Sequence, residues 1–106
     1  MTPLERDILD RFKRDVTAKY PAARIVLFGS RARGDADPDS DMDVLVVLDG
    51  PVTRAEESFV SECAWEAGFL QGIIVMSITV NKKEWEKGPD RVSLLAIAVR
   101  REGVEV

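Results

Sequence analysis

The sequence predicts a mixed α/β fold of the α+β type, with helices packed on a small mixed β-sheet. Two segments start with a capping box and continue with apolar residues at helical spacing. Three short apolar runs are typical of buried strands, and glycine or proline separates the segments. A length of 106 residues with 45% hydrophobic side chains suits one core, so we expect a single domain over residues 1–106.

The first segment predicts a helix of about 17 residues that ends near Tyr20. Thr2 and Glu5 form its capping box, and Pro3 suits the first helical position. Pro21 stops the helix because a proline has no N–H to donate. The predicted apolar face consists of Leu4, Ile8, Leu9, Phe12 and Val16.

Three apolar runs predict the strands of the sheet, at Arg24–Phe28, Met42–Leu48 and Ile73–Val80. The first run ends at Gly29. The segment that follows, residues 30–40, is polar and contains glycine and proline, so we expect a loop there.

The second capping box, formed by Thr53 and Glu56, predicts a helix whose apolar face extends to about Gln71. Helices therefore precede the first strand and separate the second strand from the third. This alternation of helix and strand is the main support for the predicted fold class.

The last quarter of the sequence predicts smaller elements. Asn81 caps a short polar turn that extends through Trp85. Asp90 is the expected cap of a last helix over residues 91–101, and residues 104–106 are expected to form an edge strand.

The composition excludes several classes of function. Without histidine, a Ser-His or Cys-His nucleophile pair cannot form, and one cysteine gives neither an internal disulfide nor a zinc cluster. The net charge of -4 argues against a nucleic-acid partner, because proteins that bind nucleic acids usually present a basic surface to the phosphates. No apolar run approaches the roughly 20 residues that cross a bilayer, so we expect a cytoplasmic protein without a membrane partner.

The junction Gly29-Ser30 is a candidate phosphate site. A strand that ends in glycine lets a ligand approach the backbone closely, and the following turn offers N–H groups and a hydroxyl. The alternative is a plain turn between strand and loop.

Asp41 and Asp43 form a candidate Mg²⁺ site. Side chains alternate along a strand, so both carboxylates point to one face at the start of the second strand. Two neighbouring carboxylates repel each other unless a cation compensates, and Mg²⁺ prefers such oxygen ligands. The alternative is that both are solvated loop acids.

Three further aspartates precede this pair, and the alternation invites comparison with a calcium-binding loop. That interpretation fails because Ser40 stands where the loop needs glycine and Val46 where it needs glutamate. We expect solvated loop acids at Asp35, Asp37 and Asp39.

The two candidate sites together are far more specific than either alone, because ten residues, 31–40, separate Gly29-Ser30 from Asp41-x-Asp43. This pattern resembles the nucleotidyltransferase superfamily that includes DNA polymerase beta, and within it the minimal nucleotidyltransferases. The spacer also matches that family's pattern, through Arg31, Ala32, Arg33, Gly34 and Ser40.

The resemblance implies a nucleotidyltransferase fold and a role for each matching residue. Gly29 and Ser30 would contact the terminal phosphates of a nucleoside triphosphate, with Arg33 adding positive charge. Asp41 and Asp43 would bind Mg²⁺ and serve as the catalytic residues. Arg31 could also face the phosphates, but for at least one of the two arginines we favour a salt bridge to the neighbouring aspartates.

The resemblance also implies a reaction and a partner. The expected reaction transfers a nucleoside monophosphate, AMP from ATP, to a hydroxyl acceptor. Small members of the family pair with helical HEPN proteins as toxin and antitoxin, and some modify a tyrosine of that partner. The sequence leaves a homo-oligomer open.

One departure from the family leaves turnover open. Active members carry a third carboxylate on a strand after the second helix, which helps to bind metal and activates the attacking hydroxyl. The corresponding run, Ile73–Val80, contains no acid. The alternative function is therefore a catalytically weak or inactive nucleotide-binding module that acts as an antitoxin by direct contact.

Overall fold

Helices lie on both faces of a four-stranded mixed sheet, which confirms the predicted fold class. The computed structural model describes residues 1–89 and 93–106. In chain order the elements are α1 (Pro3–Lys19), β1 (Arg24–Phe28), α2 (Ser30–Arg33), β2 (Met42–Leu48), α3 (Arg54–Phe69), β3 (Val75–Asn81), α4 (Lys82–Lys87), α5 (Leu94–Glu102) and β4 (Val104–Glu105). No helix in the described ranges is long and apolar enough to cross a membrane.

The strand order of the sheet is β3-β2-β1-β4. β1 is antiparallel to both of its neighbours, whereas β2 and β3 are parallel. A parallel pair needs a crossover connection, and α3 provides it. β2 is therefore a central strand, and β3 is an edge strand.

The hydrophobic core occupies both faces of the sheet, because the side chains of β2 alternate between them. On one face, β1 and β2 pack against α1 and α3 around Phe12, Leu27, Val44 and Val60. On the other face, α4 and α5 cover the strand residues Val26, Leu45 and Val47. The helix side chains in this contact are Trp85, Ala96 and Val99. This second face also carries the side chain of Asp43, two residues before Leu45.

Both predicted capping boxes form. Thr2 N–H donates to Glu5 Oε1 over 2.9 Å, and Glu5 N–H donates to Thr2 Oγ1 over 3.2 Å. Thr53 and Glu56 repeat the arrangement at α3. α3 ends at Phe69, two residues before the end near Gln71 that the sequence predicts.

The early end of α3 has a local cause. Gly72 adopts a φ of 70°, and Ile73 N–H donates to the Gly68 carbonyl oxygen, which closes the helix with a tight turn. As a result Leu70 is 80% exposed, and β3 begins at Val75, two residues later than the apolar run suggests.

Two segments predicted as a loop and a turn contain helix. Residues 30–33 form α2, and residues 82–87 form α4, with the Asn81 side chain as its cap. The cap of α5 is Ser93, whose hydroxyl accepts from Ala96 N–H over 3.1 Å. The predicted cap Asp90 lies outside the described residues.

Candidate functional site

The end of β1 and the start of β2 meet at the candidate site. Because these strands are antiparallel with Phe28 opposite Asp43, Gly29 lies beside the Asp43 side chain. A Cβ atom placed on Gly29 would stand 2.5 Å from Asp43 Oδ2, and the φ of Gly29 is 78°. Glycine is therefore required at position 29 for two reasons. The backbone conformation disfavours any side chain, and the Asp43 carboxylate fills the space that a Cβ atom would occupy.

Gly29 and Ser30 also begin a tight helical turn. The N–H groups of Ala32 and Arg33 donate to the Gly29 carbonyl oxygen, and Gly34 N–H donates to that of Ser30. Within the described ranges, the Ser30 hydroxyl makes no hydrogen bond to the protein. The turn thus leaves this hydroxyl unpaired among the described residues, one residue after the glycine that lies beside Asp43.

Asp41 and Asp43 differ in their surroundings. Asp41 is exposed and precedes β2, whereas Asp43 is partly buried within it. Burial raises the pKa of Asp43 above its ordinary value, the nearby Asp41 charge raises it further, and Arg33 opposes them. Ionisation of both carboxylates is therefore unfavourable when no cation lies between them.

A bound cation would remove this penalty, and the donor set fits Mg²⁺. This ion takes one or two carboxylates and completes its shell with phosphate oxygens and water. Among the described residues, no group of three or more acidic, histidine or cysteine side chains could hold a metal. Asp41 and Asp43 would thus supply the protein ligands, with the remainder coming from a nucleotide and solvent.

The strand register identifies the residue beside Asp43 on β3. Asp43 pairs with Met76 in the parallel ladder, and paired residues point to the same face. Met76 is 51% exposed, and Ile78, two residues farther along β3 and on the same face, is 39% exposed. An apolar thioether therefore occupies the β3 position that pairs with Asp43.

Arg31 has a structural role that the sequence did not reveal. Its guanidinium is buried, pairs with Glu5 Oε2 at 3.1 Å and donates to the carbonyl oxygens of Ser40 and Pro38 at 2.7 and 3.0 Å. These contacts hold the loop before β2 against α1. The predicted pairing with a neighbouring aspartate does not occur at Arg31.

Arg33 does pair with a neighbouring aspartate, and it also has an unpredicted partner. Its Nε contacts Asp35 at 3.2 Å, and its Nη1 contacts both carboxylate oxygens of Glu102 at 3.1 and 3.2 Å. Glu102 Oε1 also accepts from Gly29 N–H over 3.2 Å. No local sequence signal could show this contact, because Glu102 is 73 residues from Gly29.

Comparisons with known proteins agree with this architecture. The family model described as a nucleotidyltransferase domain matches residues 9–99. The chain is 33% identical over 78 residues to "Putative protein adenylyltransferase MJ0141" of Methanocaldococcus jannaschii, covering 72% of this chain and 79% of that protein. "Putative protein adenylyltransferase MJ1379" of the same organism is 41% identical over 44 residues, which are 42% of this chain and 44% of that protein.

Two solved structures share the fold at low sequence identity. A crystal structure of a "putative nucleotidyltransferase" from Sulfolobus solfataricus superposes with a TM-score of 0.57 and 23% identity, over 99% of this chain and 86% of that one. A crystal structure of a toxin-antitoxin with AMP-PNP gives 0.58 and 18%, over 95% and 70%. Because the family model spans residues 9–99 and the register brings the glycine turn and the paired aspartates together, the chain belongs to the nucleotidyltransferase domain family.

Proposed function

We propose that this domain binds a Mg²⁺–nucleoside triphosphate and transfers AMP from ATP to a hydroxyl acceptor. The observation that carries the proposal is the contact of Gly29 with Asp43, which joins a phosphate-binding turn to a pair of metal ligands. The names of its relatives favour adenylyl transfer, since both M. jannaschii proteins are described as protein adenylyltransferases.

Each residue of the site has a proposed role. Asp41 and Asp43 hold Mg²⁺, which when bound neutralises phosphate charge and polarises the α-phosphate. Ser30 offers its hydroxyl and Gly29 its backbone N–H to the terminal phosphates. The guanidinium of Arg33 lies near enough to influence Asp43 and adds a positive charge beside the same phosphates.

The reaction is a displacement at the α-phosphorus. The acceptor oxygen forms a bond to this atom. The bond between the α-phosphorus and the oxygen that bridges the α- and β-phosphates breaks, so that pyrophosphate leaves with the electron pair. The proton of the acceptor passes to solvent, because Met76 stands where a carboxylate on β3 could have received it. The protein therefore contributes chiefly by positioning its reactants and by balancing charge.

A protein acceptor fits the surroundings of the site. The exposed side chains of Met76 and Ile78 follow one face of β3 from the position paired with Asp43, and exposed Ile74 immediately precedes the strand, so an apolar surface lies beside the site. We propose a tyrosine of a helical HEPN-type toxin as the acceptor. A toxin as partner is favoured by the toxin-antitoxin structure with AMP-PNP that shares this fold.

Met76 favours a second candidate function. Without a third carboxylate, the domain would bind nucleotide and neutralise its partner by contact, with little or no transfer. The two functions share the same nucleotide site and differ only in turnover. Separate tests of binding and of transfer therefore distinguish them.

Thermal unfolding with Mg²⁺ and ATP tests binding. A ligand at 100 times its dissociation constant adds about 2.7 kcal/mol to the free energy of unfolding. We expect this stabilisation in the wild type and its loss in Asp41→Asn/Asp43→Asn. The matched control, Asp37→Asn/Asp39→Asn, removes the same charge from the adjacent loop without touching the Arg33–Asp35 ion pair and should keep the full effect. Equal stabilisation of all three proteins would refute the site.

Incubation with α-labelled ATP and the protein encoded by the neighbouring gene tests transfer. The proposed enzyme labels that protein only when Mg²⁺ is present, and replacement of the acceptor tyrosine by phenylalanine abolishes the label. If Mg²⁺–ATP binds but no label is transferred, the antitoxin module is the correct function.

A further inference from the structure

Glu102 holds the groups that the proposed function assigns to phosphate. Its Oε1 accepts from Gly29 N–H over 3.2 Å, and both of its oxygens lie within 3.2 Å of Arg33 Nη1. The Glu102 side chain is 22% exposed and that of Arg33 is 46% exposed, so the carboxylate is mostly covered while the guanidinium stays open to solvent. The arrangement shows directly that this corner of the site accepts an anionic group.

The position of Glu102 in its helix is locally unfavourable. It is the last residue of α5, where the unpaired carbonyl groups disfavour negative charge. Arg100 and Arg101, in the same turn, have the sign that suits a helix end. The contacts with Gly29 and Arg33 compensate for this placement, which points to a role outside α5.

We propose that the Glu102 carboxylate occupies the phosphate subsite when nucleotide is absent and competes with the triphosphate for it. This inference rests on the proposed function, because it takes Gly29 and Arg33 as phosphate-binding groups. Nucleotide binding then requires Glu102 to release both groups, and the end of α5 to lose its link to the glycine turn. The carboxylate lowers the affinity for nucleotide and keeps phosphate groups of low charge from binding.

A purely structural role makes the opposite prediction. The ladder between β4 and β1 pairs Glu105 with Val26 and Val104 with Leu27, and beyond it the Glu102 side chain supplies the hydrogen-bond acceptor for Gly29 N–H. If that were its purpose, removing the acceptor would distort the turn and weaken nucleotide binding. Glu102→Gln separates the two roles, because glutamine keeps an oxygen for Gly29 N–H but has no charge.

The experiment measures the dissociation constant of Mg²⁺–ATP by calorimetry at 0.15 M salt. We expect Glu102→Gln to bind about tenfold more tightly than the wild type, the equivalent of one charge-assisted hydrogen bond that nucleotide no longer has to displace. Glu105→Gln is the matched control: it removes the same charge three residues away and breaks the ion pair with Arg24, and its affinity should be unchanged. Glu102→Ala, which also lacks the acceptor, should bind at least as tightly as Glu102→Gln.

The outcomes separate this inference from the proposed function. Tighter binding by both Glu102 variants, with Glu105→Gln like the wild type, supports the competition. Equal affinity of the wild type and Glu102→Gln overturns the competition and leaves the proposed function standing. The same conclusion follows if Glu102→Ala binds more weakly than the wild type while Glu102→Gln binds like the wild type. If no variant binds Mg²⁺–ATP, the proposed function fails and the competition fails with it.

Discussion

Gly29 and Gly34 show how different two glycines of similar conformation can be. Their φ angles are 78° and 81°, so a side chain at either position would be strained. A Cβ on Gly34 would meet nothing within 4 Å, whereas one on Gly29 would collide with Asp43. Of these two glycines, only Gly29 therefore contacts a residue of the candidate site.

Alanine substitutions should separate strain from collision. We expect Gly34→Ala to lower the free energy of unfolding by about 1 kcal/mol, and Gly29→Ala by about 3 kcal/mol, because the displaced carboxylate adds to the strain. Urea denaturation measures both. Gly34→Ala should retain its stabilisation by Mg²⁺–ATP and Gly29→Ala should lose it. Equal behaviour of the two variants would contradict the assigned contact.

β3 supplies the side of the site that departs most from the family pattern. The parallel register places Met76 beside Asp43 and Ile78 beside Leu45. Since Met76 is half exposed at the edge of the sheet, a charged side chain there need not disturb the core. The strand could therefore carry a third carboxylate at little structural cost.

Met76→Asp should raise the rate of AMP transfer if the missing acid limits turnover. We expect an increase of about 100-fold, the lower end of what a positioned acid–base group contributes. Ile78→Asp is the control, with the same change two residues farther from the carboxylate pair. Transfer of labelled AMP is the readout. An unchanged rate in Met76→Asp, with nucleotide binding intact, would show that the third acid is not what limits this protein.

α1 supports the site through the buried pair of Glu5 and Arg31. Glu5 closes the capping box of α1 with one oxygen and binds Arg31 with the other. Burial raises the pKa of Glu5, but hydrogen bonds from Thr2 and Arg31 outweigh it, so the pKa lies below its ordinary value of 4.5. The ionised carboxylate therefore stabilises the fold.

Glu5→Gln should destabilise the protein by about 3 kcal/mol at pH 7, because it leaves the buried Arg31 charge without its partner. Glu56→Gln, at the same position of the exposed capping box of α3, should cost clearly less than Glu5→Gln. Because the pKa of Glu5 is lowered on folding, its contribution is present above pH 4.5 and is lost as the pH falls through the folded value. Urea denaturation from pH 7 to pH 3 should show the wild type losing its advantage over Glu5→Gln. A constant difference would contradict the ion pair.

Elements that depend on short-range patterns could be predicted from the sequence, whereas contacts between distant parts of the chain could not. β1, β2 and both capping boxes depend on short-range patterns, and their bounds are confirmed. The partner of Arg31 lies 26 residues away and that of Gly29 lies 73 residues away, so no local pattern contains them. α2 was missed because a four-residue helix has no periodicity to recognise. The assigned roles of Gly29, Ser30, Arg33, Asp41 and Asp43 stay predictions.

The fold as a whole should gain stability when the site is disabled. The pKa of Asp43 is raised, so its ionised form opposes folding at neutral pH, and its contribution is favourable only below its ordinary value of 3.8. We expect Asp43→Asn to raise the free energy of unfolding modestly at pH 7 in the absence of metal. The gain should shrink as the pH falls toward 3.8. Asp37→Asn, an exposed loop control, should change little, and destabilisation by Asp43→Asn would refute the prediction.

The different anchoring of Asp41 and Asp43 has a consequence for how an ion would enter and leave. Asp43 is fixed between β1 and β3 in the ladder, whereas Asp41 is exposed and lies outside the strand. One ligand is thus preorganised and the other is free to adjust. If the pair holds Mg²⁺ as proposed, this arrangement should tolerate ions of different radius, so Mn²⁺ should replace Mg²⁺, and release of the ion should begin at the exposed Asp41 before Asp43 dissociates.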